Sequence, residues 1–415
     1  MPISNKVKNS LGQSSWIRRM FEEGARLKQQ FGADQVYDFT LGNPDLPPPR
    51  EFDARLRALI NAPPTDLHRY MPNAGWPEVR AKIAAAFVRR TGLAYQAGHV
   101  VMTVGAGGGL NVCIKALLDP GDEIILLTPY FVEYLFYADN HAARAVVVPT
   151  TSDFGLDVDA IEQAITERTR AIIVNSPNNP TGRIYRHNEL AKLAAALETA
   201  NERYGRPIYL IADEPYRKIV YEDCVCPEVP PLYDHTIVVT SHSKDLGLAG
   251  ERIGMLVVSP RAADATEIVD ACTFANRTLG FVNAPSLFQL AVADCQDVTV
   301  DVATYQARRD LLVTHLSSLG FDVPVPGGAF YLFPRSPEPD EIAFTRRLLH
   351  RRILVVPSCG FGCSGHVRIS YAVDTKTIER SLPIWTEVAA EYGLVPRRAA
   401  RPGPITSKVK TSSSS

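Results

Sequence analysis

A chain of 415 residues with 46% apolar side chains is too long for one small core, so two domains are expected. Its 44 Lys and Arg against 45 Asp and Glu leave a formal charge of −1, which excludes a global field for nucleic acid or an acidic membrane surface. The first ten residues lack the apolar segment of a signal peptide and no apolar run is long enough to cross a bilayer, so the expected compartment is the cytoplasm.

Seven cysteines, with pairs at Cys224/Cys226 and Cys359/Cys363 but no zinc-type His or Cys partners nearby, read as reduced thiols, and no metal site is expected. A helix is expected from Ser14 to Lys28, then a short strand over Val36–Leu41 running into the proline-rich loop Gly42–Pro49. The turn Tyr70–Arg80 feeds a helix to about residue 91. Val100–Val104 reads as a buried strand ending in the glycine loop 105–109, followed by a helix over Leu110–Leu118.

Apolar runs at Glu123–Leu127, Ala145–Val148, Ala171–Val174, Ile208–Ile211 and Thr236–Thr240 then alternate with helical stretches such as Asn188–Asn201. That alternation predicts an α/β fold: a three-layer α/β/α large domain on a mostly parallel sheet. Past residue 285 come a long helical stretch from Ser286 through Leu319, the segment Gly327–Phe333, a helix over Glu341–Arg351, and strands at Ile353–Val356 and His366–Tyr371. These suggest a smaller α+β domain. The expected division is 1–45 joining the small domain, 46–285 the large domain, 286–395 the small domain, and 396–415 a disordered tail rich in Pro, Ser and basic residues.

Ligands in such sheets sit at the carboxyl ends of the strands, and four polar clusters follow strands here. Gly105–Gly109 offers amides for a phosphate; Asn175–Gly182 offers amides and carbonyls on a prolyl-stiffened turn; Asp213-Glu-Pro-Tyr216 offers a carboxylate and a phenol; Lys244 offers an amine. Singly, each has an ordinary reading as a turn, a paired acid or a half-buried ring. Jointly they are the groups a pyridine aldehyde phosphate needs: a carboxylate for the ring nitrogen, a lysine for the aldehyde, a phenol and an amide for the ring hydroxyl.

The motif Asn179-Pro-Thr-Gly182, the pair Asp213 and Tyr216, the stretch Ser241-His-Ser-Lys244 with Arg252 eight residues on, and Val367-Arg368-Ile-Ser-Tyr-Ala372 stand in a familiar order and spacing. Over roughly residues 14–390 the chain resembles the class I/II aminotransferases of the pyridoxal-phosphate fold type I group. The resemblance implies pyridoxal 5'-phosphate as cofactor and transfer of an amino group between an L-amino acid and a 2-oxo acid. It implies Lys244 as the aldimine-forming lysine and proton shuttle, Asp213 opposite the ring nitrogen, and Tyr216 and Asn179 on the ring hydroxyl. Ala106, Gly107, Ser241 and Arg252 would hold the phosphate, and Phe131 would lie against the ring face. Arg368, with backbone at Gly42, would take the substrate α-carboxylate, for which a guanidinium fork is suited. Tyr70 would reach the phosphate of a neighbouring subunit, so a homodimer with shared sites is implied.

Two departures stand out: the phosphate segment is richer in glycine than usual, and position 131 is phenylalanine where tryptophan or tyrosine is common. Gly360-Phe-Gly362-Cys-Ser-Gly365 matches a dinucleotide fingerprint in form only, since it precedes a strand and offers no helix N-terminus. The rival chemistry is a C–S β-lyase or another carbanion reaction on the same fold. A cofactor-binding regulator is disfavoured because only about thirteen residues precede the first helix, and a catalytically dead subunit because the lysine is present. For the substrate side chain, Trp16, Ile17, Tyr134 and Tyr331 are candidate lining residues, and Arg277 is a candidate partner for a second carboxylate.

Overall fold

The computed structural model describes residues 3–8, 16–222 and 224–395. The expected helix start at Ser14 and the tail 396–415 lie outside them. In chain order the strands are β1 (Tyr37–Asp38), β2 (Val100–Val104), β3 (Glu123–Thr128), β4 (Arg144–Pro149), β5 (Thr169–Asn175), β6 (Tyr209–Asp213), β7 (Thr236–Ser241), β8 (Ile253–Val258), β9 (Tyr331–Leu332), β10 (Ile353–Leu354), β11 (Val356–Pro357) and β12 (Val367–Ser370).

Seven of these form one sheet in the order β2-β8-β7-β6-β5-β3-β4. All neighbours pair in parallel except β8, which is antiparallel to both β2 and β7. The strands are apolar at successive positions because both faces are covered. Side chains alternate between the two faces of the sheet as the period of two requires: Met102, Ile125, Ile172, Leu210, Val238 and Met255 on one face, Val101, Ile124, Ile173, Ile211, Val239 and Leu256 on the other. Helices Pro77–Thr91 and His187–Tyr204 pack on the first face, and Gly105–Leu117 and Ala265–Thr278 on the second. Each fully buried aliphatic side chain there contributes about 1.5–3 kcal/mol relative to exposure.

A second core joins Tyr37 and Phe39 to residues between Val300 and Ala389, including Phe330, Phe344, Ile369 and Trp385. Its framework is the antiparallel sheet β11-β12-β9 and the parallel pair β1-β10.

Three expectations need correction. The glycines 105–109 are not a loop: the helix begins at Gly105, directly at the end of β2. The stretch Ser286–Leu319 is two helices, Ser286–Val292 and Val302–Ser318, the second capped by Asp301 whose carboxylate accepts from the amides of Ala303 and Thr304. Ile353–Val356 is divided between β10 and β11, because β10 pairs with β1 while β11 pairs with β12.

Candidate active site

The parallel strands share one direction, so their carboxyl ends define one edge of the sheet. Asn175 closes β5, Asp213 closes β6 and lies in register with Asn175, and Ser241 closes β7. Because β8 runs the other way, its first residue Ile253 pairs with Val104 at that same edge. Arg252, immediately before it, is therefore delivered to the site by a strand of opposite sense. Its backbone is left-handed (φ 51°), a conformation rare for a side-chain-bearing residue and concentrated at functional positions.

These ends surround a cavity of about 290 Å3 lined by Ala106, Gly107, Phe131, Asp213, Lys244, Arg252 and Arg368, with Gly42, Asn179, Tyr216, Ser241 and Tyr331 also on its wall. A larger surface groove of about 690 Å3 lies elsewhere, between the helix Trp16–Phe31 and residues 349–352. Its Arg26 and Arg351 are already paired with Glu23 and with Glu387 and Glu391, so it offers no uncommitted charge from those pairs.

Asp213 is buried, and burial raises its carboxyl to about 7, opposed by the hydrogen bond from Tyr134. One oxygen, Oδ2, accepts from the Tyr134 hydroxyl and from Asn175 Nδ2, while Oδ1 is buried with no partner. An unpartnered buried carboxylate oxygen is costly unless a donor occupies the cavity. A protonated ring nitrogen is such a donor, and the residues fit that group.

Lys244 sits in the four-residue helical turn His242–Asp245 after β7, and its Nζ donates to the carbonyl of Gly42 at 2.6 Å. Burial, then the positive charges of Arg252 and Arg368, lower its amine to about 8. A base so adjusted is a usable nucleophile and proton carrier near neutral pH.

The end of the cavity between the Gly105 helix start and Arg252 is a cradle. A Cβ on Gly105 would lie 2.8 Å from the Arg252 guanidinium, and one on Gly107 would lie 2.9 Å from the Tyr137 hydroxyl. Gly105 also holds a positive φ of 67°. Only glycine lets the helix start, Arg252 and Tyr137 approach this closely.

Arg368, in the middle of buried β12, donates from Nη1 to Asn179 Oδ1 at 2.9 Å and from Nη2 to the carbonyl of Thr40 at 2.5 Å. Tyr331 and Phe361 lie under its guanidinium at 4.7 and 4.8 Å. Its Nε is buried without a partner, and burial lowers its pKa. A carboxylate is the natural ligand for such a held fork. Gly42 is tight beside it, since a Cβ there would meet the Tyr331 hydroxyl at 1.8 Å. Tyr216 spends its hydroxyl on Tyr331 at 2.7 Å, linking the Asp213 turn to the second core.

Some named residues lie apart. Tyr70 is 93% exposed and outside the cavity of its own protomer. Trp16 packs instead beside Phe333, Val356 and Phe361, and the side chain of Ile17 falls outside the described residues. Arg277 is exposed on the helix Ala265–Thr278 and stacks over Phe274. Conversely, the sequence reading assigned no role to Glu133 or Tyr137, which line the cavity. The available signal for Glu133 was its place two residues after Phe131, at the start of the helix Glu133–Asn140 that follows β3.

The family model for aminotransferase class I and II matches residues 35–382. A probable aspartate/prephenate aminotransferase of Thermus aquaticus is 34% identical over 358 residues, 85% of this chain and 90% of that protein. The aspartate/prephenate aminotransferase of Thermus thermophilus is 34% identical over 366 residues, covering 86% and 91%. Among solved structures, an amino transferase from Eubacterium rectale superposes with a TM-score of 0.91 at 40% identity, covering 94% of this chain and all of the other. The Thermus thermophilus aspartate aminotransferase with maleate gives 0.82 at 29% identity, with the same coverage.

Proposed function

The chain belongs to the class I and II aminotransferases, and from that membership we propose that it works with pyridoxal 5'-phosphate in the Lys244 cavity, moving an amino group between an L-amino acid and a 2-oxo acid. The observation that carries the cofactor assignment is the buried, unpartnered Oδ1 of Asp213 facing the same cavity as a lysine whose pKa is lowered to about 8.

Bound there, the cofactor supplies an electron sink that makes the substrate Cα–H bond labile. Asp213 holds the proton on the ring nitrogen, its own charge kept by the Tyr134 hydrogen bond. Arg252, Ser241 and the first-turn amides at Ala106 and Gly107 would hold the phosphate, Phe131 would face the ring, and Asn179 with Tyr216, whose hydroxyl also pairs with Tyr331, would hold the ring hydroxyl. Arg368 takes the α-carboxylate and so fixes which Cα bond is presented to Lys244. Lys244 Nζ, its pKa lowered to about 8, is the base placed in the same cavity to take the Cα proton. The carbonyl of Gly42 accepts from the free Lys244 amine and so holds it in the cavity before cofactor binds.

We read the exposed Tyr70 as reaching the site of a second protomer in a homodimer. No helix among the described residues is long and apolar enough to cross a membrane, and we place the enzyme in the cytoplasm. The deciding experiment offers a panel of L-amino acids with pyruvate or 2-oxoglutarate and scores the new amino acid formed. Transfer to at least one 2-oxo acid is expected; cofactor-dependent elimination without any transfer would overturn the reading in favour of a lyase.

A further inference from the structure

The cavity holds five charged side chains, and four of them already serve cofactor or α-carboxylate, namely Asp213, Lys244, Arg252 and Arg368. The fifth is Glu133. It begins the helix Glu133–Asn140, two residues beyond Phe131, and faces the same cavity as Lys244 and Arg368. Its Oε2 is buried and has no hydrogen-bond partner, and among the described residues no cation pairs with it within 4 Å. The neighbouring Tyr134 turns to Asp213, so Glu133 is not part of that hydrogen-bonded pair.

We propose that Glu133 is a specificity-determining residue, its carboxylate receiving the positively charged nitrogen at the end of the substrate's side chain. This rests on the aminotransferase reading above. With Arg368 taking the α-carboxylate, the substrate side chain must extend elsewhere in the cavity, and the charge left unanswered there is negative. Among the described residues lining the cavity, a second carboxylate finds no spare cation: Lys244 and Arg252 are committed, and Arg277 lies outside the cavity. Glu133 would also repel it. Burial, the largest effect, raises the Glu133 carboxyl's pKa overall against the smaller opposing pull of its own backbone amide and of Arg368, so a partner cation would relieve a disfavoured charge. An ammonium or guanidinium terminus supplies the missing partner, and a half-desolvated charge pair discriminates strongly against an uncharged isostere.

The test uses the holoenzyme with pyruvate as acceptor and compares L-ornithine with L-norvaline and L-lysine with L-norleucine, pairs that differ chiefly in the terminal charge. Wild type is expected to favour the cationic member in kcat/KM. In Glu133→Gln that ratio should fall by about 30-fold or more, mainly through KM, and L-glutamate should gain relative to L-lysine. Glu133→Ser serves as a second variant, and the cofactor absorbance of each confirms a loaded site. An active wild type that prefers the uncharged member or a dicarboxylate, or a ratio unchanged in both variants, overturns the inference while leaving the aminotransferase reading intact. If wild type transfers no amino group from any amino acid, that reading falls and the inference with it.

Discussion

The Tyr134 hydroxyl donates to one carboxylate oxygen of Asp213 and leaves the other, equally buried, without a donor. This half-satisfied acid lies on the line between sheet and cavity. On the proposed function, a carboxylate at the end of a central strand tolerates burial because its second partner would arrive with the cofactor. Removing the first partner should therefore weaken the hold on the second. Tyr134→Phe loses the contribution that lowers the Asp213 pKa, so the carboxyl rises above about 7. Cofactor affinity should drop about tenfold near pH 6.5, with a smaller loss at pH 8.5 where the acid is ionised in both proteins. Equilibrium titration at the two pH values checks this.

Asp213→Asn should separate stability from function. A carboxyl at about 7 in the folded protein, above its ordinary 3.8, binds protons more tightly when folded. Its stabilising contribution is complete below 3.8 and is lost as pH rises through 7. At pH 8 the cofactor-free wild type therefore carries an unfavourable buried charge that the amide lacks. The variant's cofactor-free melting temperature should rise by a few degrees, about 1 °C per kcal/mol for a chain of this length, while its activity collapses. A lower melting temperature would show that Asp213 is satisfied without cofactor.

The Lys244 amine, lowered to about 8 by burial and by Arg252 and Arg368, is protonated below that pH and neutral above it. Only the neutral amine attacks an aldehyde. The rate at which cofactor-free protein takes up pyridoxal phosphate should climb with pH and level off above about 8. Stopped-flow absorbance from about pH 6 to 10 would show it; a climb continuing toward the ordinary 10.5 would mean an exposed lysine.

Arg368 is held by Asn179 and Thr40 and stacked on two rings, so its fork arrives at a fixed angle. Lysine keeps the charge and loses the fork. Arg368→Lys should cut kcat/KM about 100-fold for every amino acid tested, irrespective of side chain, because the α-carboxylate is common to all. An effect confined to some side chains would place Arg368 at the specificity end instead.

What was legible in the sequence follows from periodicity and chain-local chemistry. Asp213 and Lys244 stand just past apolar runs, so strand-end placement could be read directly, and the parallel order of β5, β6 and β7 brought them together. The start of the helix at Gly105 was not legible, because five residues with four glycines carry little helix signal of their own. There, packing against β7 and β8 overrides propensity. The break between Ser286–Val292 and Val302–Ser318 was marked only by the Asp301 cap. Glu133 was hidden for a different reason. Which face of a helix start meets a cavity depends on tertiary placement, and an isolated glutamate is a surface residue by default.

The proposed chemistry requires Lys244 to be the amine that binds the cofactor covalently. The most direct measurement is the absorbance of purified Lys244→Ala beside wild type after each is supplied with pyridoxal phosphate and freed of excess by gel filtration. Wild type is expected to retain the lysine-linked chromophore and to lose it as an amino acid is added, while the variant shows only loosely held aldehyde and no amino-group transfer. A variant that keeps the wild-type chromophore, or turns over substrate at a comparable rate, would contradict that role for Lys244.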